Sequence, residues 1–320
     1  MARFEIKDGV AIIPNGITFI GVYAFNECYS LTSIVIPEGV ISIGEGAFKG
    51  CCNLTNIVIP NSVTKIGKYA FCGCKSLKSI TIPDNVTSIG KWAFRDCNSL
   101  TSIVIPESVT KIGELTFYGC SSLASIAIPN SVTSIGDSAF YDCKSLTSIT
   151  IPKSVTKIGG SAFSYCDNLI NIVVDAHNKV YDSREGYNAI IESATNTLIV
   201  GCKTTIISSS VTKIGKYAFC GCSSLVSITI PESVTFIGHC AFYECSSLAS
   251  ITIPESVTFI GEWAFYKCSS LTSITILSSE TYIYESAFKN CSALTSINIP
   301  AQMVKLDGDE FEIDMNGNRI

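Results

Sequence analysis

The sequence predicts a solenoid of about twelve short coils stacked around one interior, with a parallel β-sheet along one face. Three observations predict it. Leucines recur every 23 residues at Leu31, Leu54, Leu77, Leu100, Leu123, Leu146 and Leu169, and the phase resumes at Leu225, Leu248, Leu271 and Leu294. All ten prolines (Pro14, Pro37, Pro60, Pro83, Pro106, Pro129, Pro152, Pro231, Pro254, Pro300) hold one position of that unit. A phenylalanine holds another in every unit: Phe25, Phe48, Phe71, Phe94, Phe117, Phe140, Phe163, Phe219, Phe242, Phe265, Phe288 and Phe311. A fixed period of this length marks stacked supersecondary units that share a core. It also explains how 320 residues, 47% of them hydrophobic, avoid splitting into globules, because a stack grows in one dimension.

The shared unit reads L-T-S-I-x-I-P-x-S-V-T-x-I-G-x-x-A-F-x-x-C-x-S, and each segment has a physical reading. L-x-x-I-x-I alternates apolar and polar residues as a short strand does, and stacked coils would pair such strands in parallel about 4.8 Å apart. Proline, which donates no ladder hydrogen bond, ends the strand. V-T-x-I returns Val and Ile to the interior on the opposite wall. The glycine that follows (Gly21, Gly44, Gly67 and equivalents) suits a positive φ or a close backbone approach. A-F-x-x-C is too short for a full helix and reads as a helical or 3₁₀ turn that points Phe and Cys inward.

One repeat domain is expected over 1–320. It comprises an N-terminal coil (8–30), regular repeats (31–168), a repeat enlarged by about 33 residues (169–224), further repeats (225–293) and a C-terminal cap (294–320). Within the enlarged repeat, Ala189–Glu192 and Thr197–Val200 flank Ser193-Ala194-Thr195-Asn196, the pattern of strand, turn and strand. Such insertions often decorate a binding face, and one that alters the stacking is the other reading. The eleventh unit replaces proline by Leu277, valine by Glu280 and glycine by Tyr284, and the last has Asp307 for glycine and a polar end, Asp314–Arg319. These departures read as capping.

The units Leu100–Cys120, LTSIVIPESVTKIGELTFYGC, and Leu248–Cys268, LASITIPESVTFIGEWAFYKC, closely resemble the 23-residue leucine-rich repeat of the BspA-like, or Treponema-type, family. The resemblance covers nearly the whole chain, and the irregular stretch YDSREGYNAIIESATNTLIVGC looks like an interruption seen among members. It implies a curved leucine-rich-repeat solenoid, and adhesion of surface-exposed members to host matrix proteins, other cells or other bacteria. It implies no shared catalytic residue. Secreted bacterial members usually carry a signal peptide, whereas Met1–Asp8 has no apolar core of one. The expectation is therefore a cytoplasmic or non-classically exposed protein from the residues, and a cell-surface one from the family.

The 16 cysteines suggest a disulfide scaffold until their spacing is read. Cys28, Cys51, Cys74, Cys97, Cys120, Cys143, Cys166, Cys222, Cys245, Cys268 and Cys291 share one repeat position, which predicts an internal ladder of free thiols acting as small buried hydrophobes. The strand spacing of about 4.8 Å exceeds the Cβ separation of roughly 3.5–4.5 Å that a disulfide wants. Cys72-Gly73-Cys74 and Cys220-Gly221-Cys222 lack further ligands for zinc, and Cys52, Cys202 and Cys240 lie off the ladder, reactive if exposed. Asp175, Asp182 and Glu185 could hold calcium, but no D-x-D-x-D-G loop is present.

Catalysis is not expected. His177 and His239 are the only histidines, and no hydrolase triad order, phosphate-binding loop or dinucleotide fingerprint occurs. No cofactor or metal is implied. His239, where other units carry Lys or Glu, reads as solvent-facing. The net charge of −5 and absence of a Lys/Arg run argue against nucleic acid, and no apolar run is long enough to span a membrane.

Binding surfaces remain, on a chain expected to be monomeric. Outward strand positions form a row of small residues, of which Ser79, Thr81, Ser102, Val104, Ser148, Thr150, Ser227, Thr229, Ser250 and Thr252 are the candidate contacts. Such a row could receive a protein or glycan, or simply fit a crowded sheet. Tyr69, Trp92, Tyr217 and Trp263 precede the A-F pair, and Tyr118, Tyr141, Tyr243 and Tyr266 follow it. Phe236, Phe259 and Tyr282 form a contiguous aromatic stripe in three consecutive units. The leading expectation is a non-catalytic protein-binding or adhesion module, with a glycan-binding module using the Tyr/Trp rows and an intracellular scaffold as alternatives.

Overall fold

The computed structural model describes residues 5–184, 186–284, 286–298 and 305–307. Phe311, Pro300 and the polar end Asp314–Arg319 lie outside the described residues. The chain divides into two compact units, Met1–Cys166 and Asp167–Ile320. Each is a β-solenoid, and no helix occurs among the described residues.

In the first unit, the L-T-S-I-x-I segments form the predicted parallel rows. Val10–Ile12, Ser33–Val35 and Asn56–Val58 pair in register at the 23-residue period, as do Ser79–Thr81 and Ser102–Val104. The opposite wall is built from two-residue strands such as Phe19–Ile20, Ser42–Ile43, Lys65–Ile66 and Ser88–Ile89, also parallel. In the second unit the same walls recur as Ser250–Ile253, Ser273–Ile276 and Ser296–Asn298 on one side, and Lys213–Ile214, Phe236–Ile237, Phe259–Ile260 and Tyr282–Tyr284 on the other.

The interior is filled by identical side chains lying on one another. Phe25, Phe48, Phe71, Phe94, Phe117, Phe140 and Phe163 stack face to face with centroids 5.2–5.6 Å apart, Phe94 and Phe117 being the widest pair at 5.6 Å. Phe219, Phe242, Phe265 and Phe288 repeat this in the second unit at 5.0–5.3 Å. Offset aromatic pairs add to the apolar area that each ring removes from water.

The A-F turn carries the third wall. Its bonds are of the i→i−3 kind, as from Ala24 N–H to the Gly21 carbonyl and Cys28 N–H to Phe25. Left-handed residues interrupt them, Tyr69 at φ 59°, Trp92 at 65° and Tyr217 at 61° among them, so no 3₁₀ helix develops. The N–H groups thus released point to the next coil. Phe25 N–H donates to the Ala47 carbonyl at 2.7 Å, Phe48 to Ala70 at 2.8 Å, Phe71 to Ala93 at 2.8 Å and Phe219 to Ala241 at 2.7 Å.

The glycine after V-T-x-I is explained by one of its two predicted reasons. Gly44, Gly67, Gly90 and Gly136 have no positive φ. They are needed because the coils touch there. A Cβ on Gly67 would lie 2.6 Å from the Gly44 carbonyl carbon, and one on Gly90 2.4 Å from Lys68 N. The positive φ falls two residues later, on residues such as Trp92, for which it is costly.

Three columns of hydroxyls also join coil to coil. Where threonine follows the repeat leucine it donates backward (Thr55 Oγ1 to the Thr32 carbonyl, 3.0 Å), and threonines after the repeat valine do the same (Thr133 to Thr110, 3.2 Å). The Ser before Val completes the set, with Ser131 donating to Val109 and Ser256 to Val234, both at 2.7 Å.

The enlarged repeat folds as the sequence suggests and then goes further. Ala189–Glu192 and Thr197–Gly201 form an antiparallel hairpin, Tyr181–Asp182 adds to its outer edge, and Thr197–Gly201 continues in parallel with Lys213–Ile214. Ala189, Ile191 and Leu198 are fully buried in the same core as Val211, Phe219 and Val234. The insertion is therefore structural in the second unit. Half-buried Arg184 fastens it, its Nε 2.7 Å from Asp182 Oδ1, one Nη 2.7 Å from Asn196 Oδ1 and the other on Ser210 Oγ.

Two substitutions test this packing by denaturant titration. Phe140→Ala is expected to cost about 3–5 kcal/mol, and wild-type stability would refute its place in the stack. Gly67→Ala should cost about 1–3 kcal/mol by overpacking. Gly21→Ala, whose Cβ meets nothing within 4 Å, should be neutral or stabilising, and equal losses at both glycines would refute the close-approach reading.

Candidate functional site

The sheet face presents the outward residues of each strand. Ser79 and Thr81 lie in register beside Ser102 and Val104, with Ile80 and Ile103 turned into the core. All four outward residues are exposed, as is Thr150, while Ser148 is half-buried. Ser250 and Thr252 pair with Ser273 and Thr275. Ser227 and Thr229 are exposed but belong to no strand, the one departure among the proposed contacts from the predicted sheet.

The outward hydroxyls differ from those of the three coil-joining columns. Ser79, Thr81, Ser102, Ser148, Thr150, Ser227, Thr229, Ser250 and Thr252 have no hydrogen-bond partner among the described residues. Side chains of the same chemistry are thus committed to structure at three positions of the repeat and free at two. At the start of the first unit the same face turns apolar: Ile12, Val35 and Val58 lie side by side in register, 62%, 63% and 51% exposed.

The aromatic rows are more self-contained than the sequence suggests. Tyr118 stacks on Tyr141 at 4.8 Å and Tyr243 on Tyr266 at 4.9 Å, so neighbouring rings cover each other's faces. Trp92 is half-buried, packs edge-on against Tyr69 and carries the Arg95 guanidinium over its ring at 4.7 Å. Trp263 is exposed and leans on His239. Phe236, Phe259 and Tyr282 do form a continuous stripe, at 4.7 and 5.9 Å between centroids, but each ring is half-buried.

His239 corrects an expectation. It is half-buried between Tyr217 and Trp263 rather than solvent-facing, with Nδ1 3.6 Å from a Glu262 carboxylate oxygen. Burial and then the Lys216 charge lower its pKa, against the opposing pull of Glu262. Of the calcium candidates, Asp182 is engaged by Arg184 and by Ser193 Oγ at 2.6 Å, Asp175 caps the N–H of His177, and Glu185 lies outside the described residues.

The thiol column is internal apart from half-buried Cys28 and Cys222, and no disulfide joins its members among the described residues. Within the regular coils the thiol donates to the carbonyl of the phenylalanine 26 residues earlier: Cys51 to Phe25 at 2.9 Å, and Cys97 to Phe71, Cys143 to Phe117, Cys245 to Phe219 and Cys268 to Phe242 at 3.2 Å, whereas Cys222, after the enlarged repeat, turns to the Gly201 carbonyl at 3.8 Å. Burial disfavours the thiolate, pushing Cys51 up to about 12 and raising Cys74, Cys97, Cys143 and Cys245 as well. Cys202 and Cys240 are buried, and burial pushes Cys240 up to about 11, so it is not a reactive surface thiol.

Compared with known proteins, the chain matches the profile of the BspA type leucine rich repeat region (6 copies) over residues 10–114, 91–195 and 190–316. It is similar to a leucine rich cell surface protein from Faecalibacterium prausnitzii A2-165, at 35% identity over 88% of this chain and 83% of that one, with a TM-score of 0.72. A leucine-rich repeat protein from Bacteroides ovatus ATCC 8483 is 30% identical over 92% of this chain and 82% of that one, TM-score 0.56. The pneumococcal vaccine antigen PcpA shares the fold at 20% identity, with 91% and 72% covered and a TM-score of 0.58. No protein of curated function matches.

The buried thiols set a pH dependence. An unfolded thiol titrates near its ordinary value of 9.0 and a folded one higher, so above pH 9 the unfolded chain has released protons that the folded chain keeps. Stability is therefore expected to fall as pH rises from about 9 towards 12, and to fall less in a Cys97→Ala/Cys120→Ala/Cys143→Ala variant. Urea midpoints that stay flat over this range, or fall equally in both proteins, would contradict the assignment.

Proposed function

Because the chain belongs to the BspA-type leucine-rich-repeat family, we propose that it is a non-catalytic module that binds other proteins through its sheet face, in an adhesive role at a cell surface. The observation that carries this reading is the row of unpartnered hydroxyls. Coil-joining hydroxyls occur in the same repeats, whereas those at Ser79, Thr81, Ser102, Ser148, Thr150, Ser250 and Thr252 have no hydrogen-bond partner among the described residues, which leaves them open to one on another molecule. Exposed small polar residues beside the apolar Ile12, Val35, Val58 and Val104 give the mixed surface that protein partners use. The cell-surface placement rests on the similarity to the leucine rich cell surface protein of Faecalibacterium prausnitzii. Among the described residues no helix is long and apolar enough to cross a membrane.

Glycan binding through the aromatic rows is less well supported. Sugars stack on open ring faces, and here Tyr118, Tyr141, Tyr243 and Tyr266 cover one another while Arg95 covers Trp92.

A panel of extracellular-matrix proteins and a glycan array, each probed with the same variants, tests the choice. Ser102→Arg and Ser148→Arg are expected to abolish matrix-protein binding without lowering the melting temperature, and Trp92→Ala with Trp263→Ala to leave it intact. Glycan binding lost with the tryptophans, or matrix binding indifferent to both arginines, would overturn the reading.

A further inference from the structure

In the second unit the sheet face opens into a cleft of about 280 Å³. Its walls are the segment 227–230 and the strand Ser250–Ile253. The two are joined by a backbone bond from Ala249 N–H to the Val226 carbonyl at 3.2 Å, and beyond it 227–230 form no strand. The next pair of coils, Ser250–Ile253 and Ser273–Ile276, is in register over all four residues. Peptide groups that pair elsewhere in the sheet therefore line a gap here, beside the free hydroxyls of Ser227, Thr229, Ser250 and Thr252.

Two further residues give the cleft a chemical character. Glu232 lines it, is exposed, and has neither an ion pair nor a hydrogen-bond partner among the described residues. Leu277 lines it from the following coil, 47% exposed at the position that proline holds in most units. Its N–H donates to the Ile253 carbonyl at 3.0 Å, a bond proline cannot make. The substitution thus ties down one lip of the cleft and adds an apolar side chain to it.

We propose that this cleft anchors an extended segment of a partner protein that carries a basic side chain beside an apolar one. A cleft of about 280 Å³ that is open to solvent along the strands suits one or two side chains of an extended segment. The carboxylate of Glu232 meets the basic group, the exposed side chain of Leu277 meets the apolar one, and the open peptide edge and hydroxyls bond the partner's backbone. The proposal deepens the protein-binding reading and rests on it.

The test is a positional-scanning library of acetylated hexapeptides, bound to wild type, Glu232→Gln and Leu277→Pro. Wild type is expected to select Lys or Arg next to Leu, Ile or Val. Glu232→Gln should bind the selected peptides about tenfold more weakly and lose the basic preference. Leu277→Pro, which restores the residue of the other units, should lose the apolar preference, and Leu277→Ser serves if it fails to fold. No basic preference in wild type, or the same preference in Glu232→Gln, overturns the cleft assignment, as does a glycan-array signal abolished by Glu232→Gln. Matrix-protein binding that persists in Glu232→Gln while peptide selection is absent would remove the cleft and leave the broader function standing.

Discussion

The constraint on which the structure depends is register between neighbouring coils. The regular coils repeat their chemistry at the same count of residues, so the polar groups that join coil to coil meet their partners at fixed offsets in the chain. Phe25 N–H finds the Ala47 carbonyl, Thr55 finds Thr32, Ser131 finds Val109 and Cys97 finds Phe71, and the same offsets recur in both units. A coil has little interior of its own. Its Phe, Leu and Ile are buried only because the coils above and below present the same residues at the same height, which makes stability a nearest-neighbour property. Insertion of one residue within a coil would shift all of these partnerships together.

That constraint explains which parts of the fold were legible in the sequence. Burial of Leu31, Ile34 and Phe48 follows from period alone, since alternation and recurrence suffice to place a side chain inside. The hairpin at Ala189–Gly201 was legible from two apolar runs around a polar turn. Less legible was anything that depends on which atom lies across the gap between coils. Gly67 reads equally as a turn glycine or a contact glycine until the Gly44 backbone is seen against it. A left-handed φ at Trp92 and Trp263 could not be read from residue type, because the inter-coil bonds of the turn overrule the residue's own preference.

The candidate site was legible in outline. The outward Ser and Thr positions followed from strand alternation, but their freedom from hydrogen bonds did not, because Thr133 and Ser131 look no different in sequence. The gap between 227–230 and Ser250–Ile253 left no trace, because 227–230 reads S-I-T-I just as the paired strands Ser250–Ile253 and Ser273–Ile276 do. The burial of Ala189 and Leu198 had no signal beyond their hydrophobicity, which fits an exposed insert and a structural one alike.

The free thiols have a mechanical consequence. Among the described residues no disulfide ties one coil to the next, since the stacked cysteines are joined by hydrogen bonds and contacts rather than S–S bonds. Tension along the stack would load hydrogen bonds and ring contacts one interface after another, as a zipper opens. Each coil peeled away would pay out roughly 70–80 Å of chain. It could close again without oxidant or reductant, because no disulfide between coils has to break or re-form.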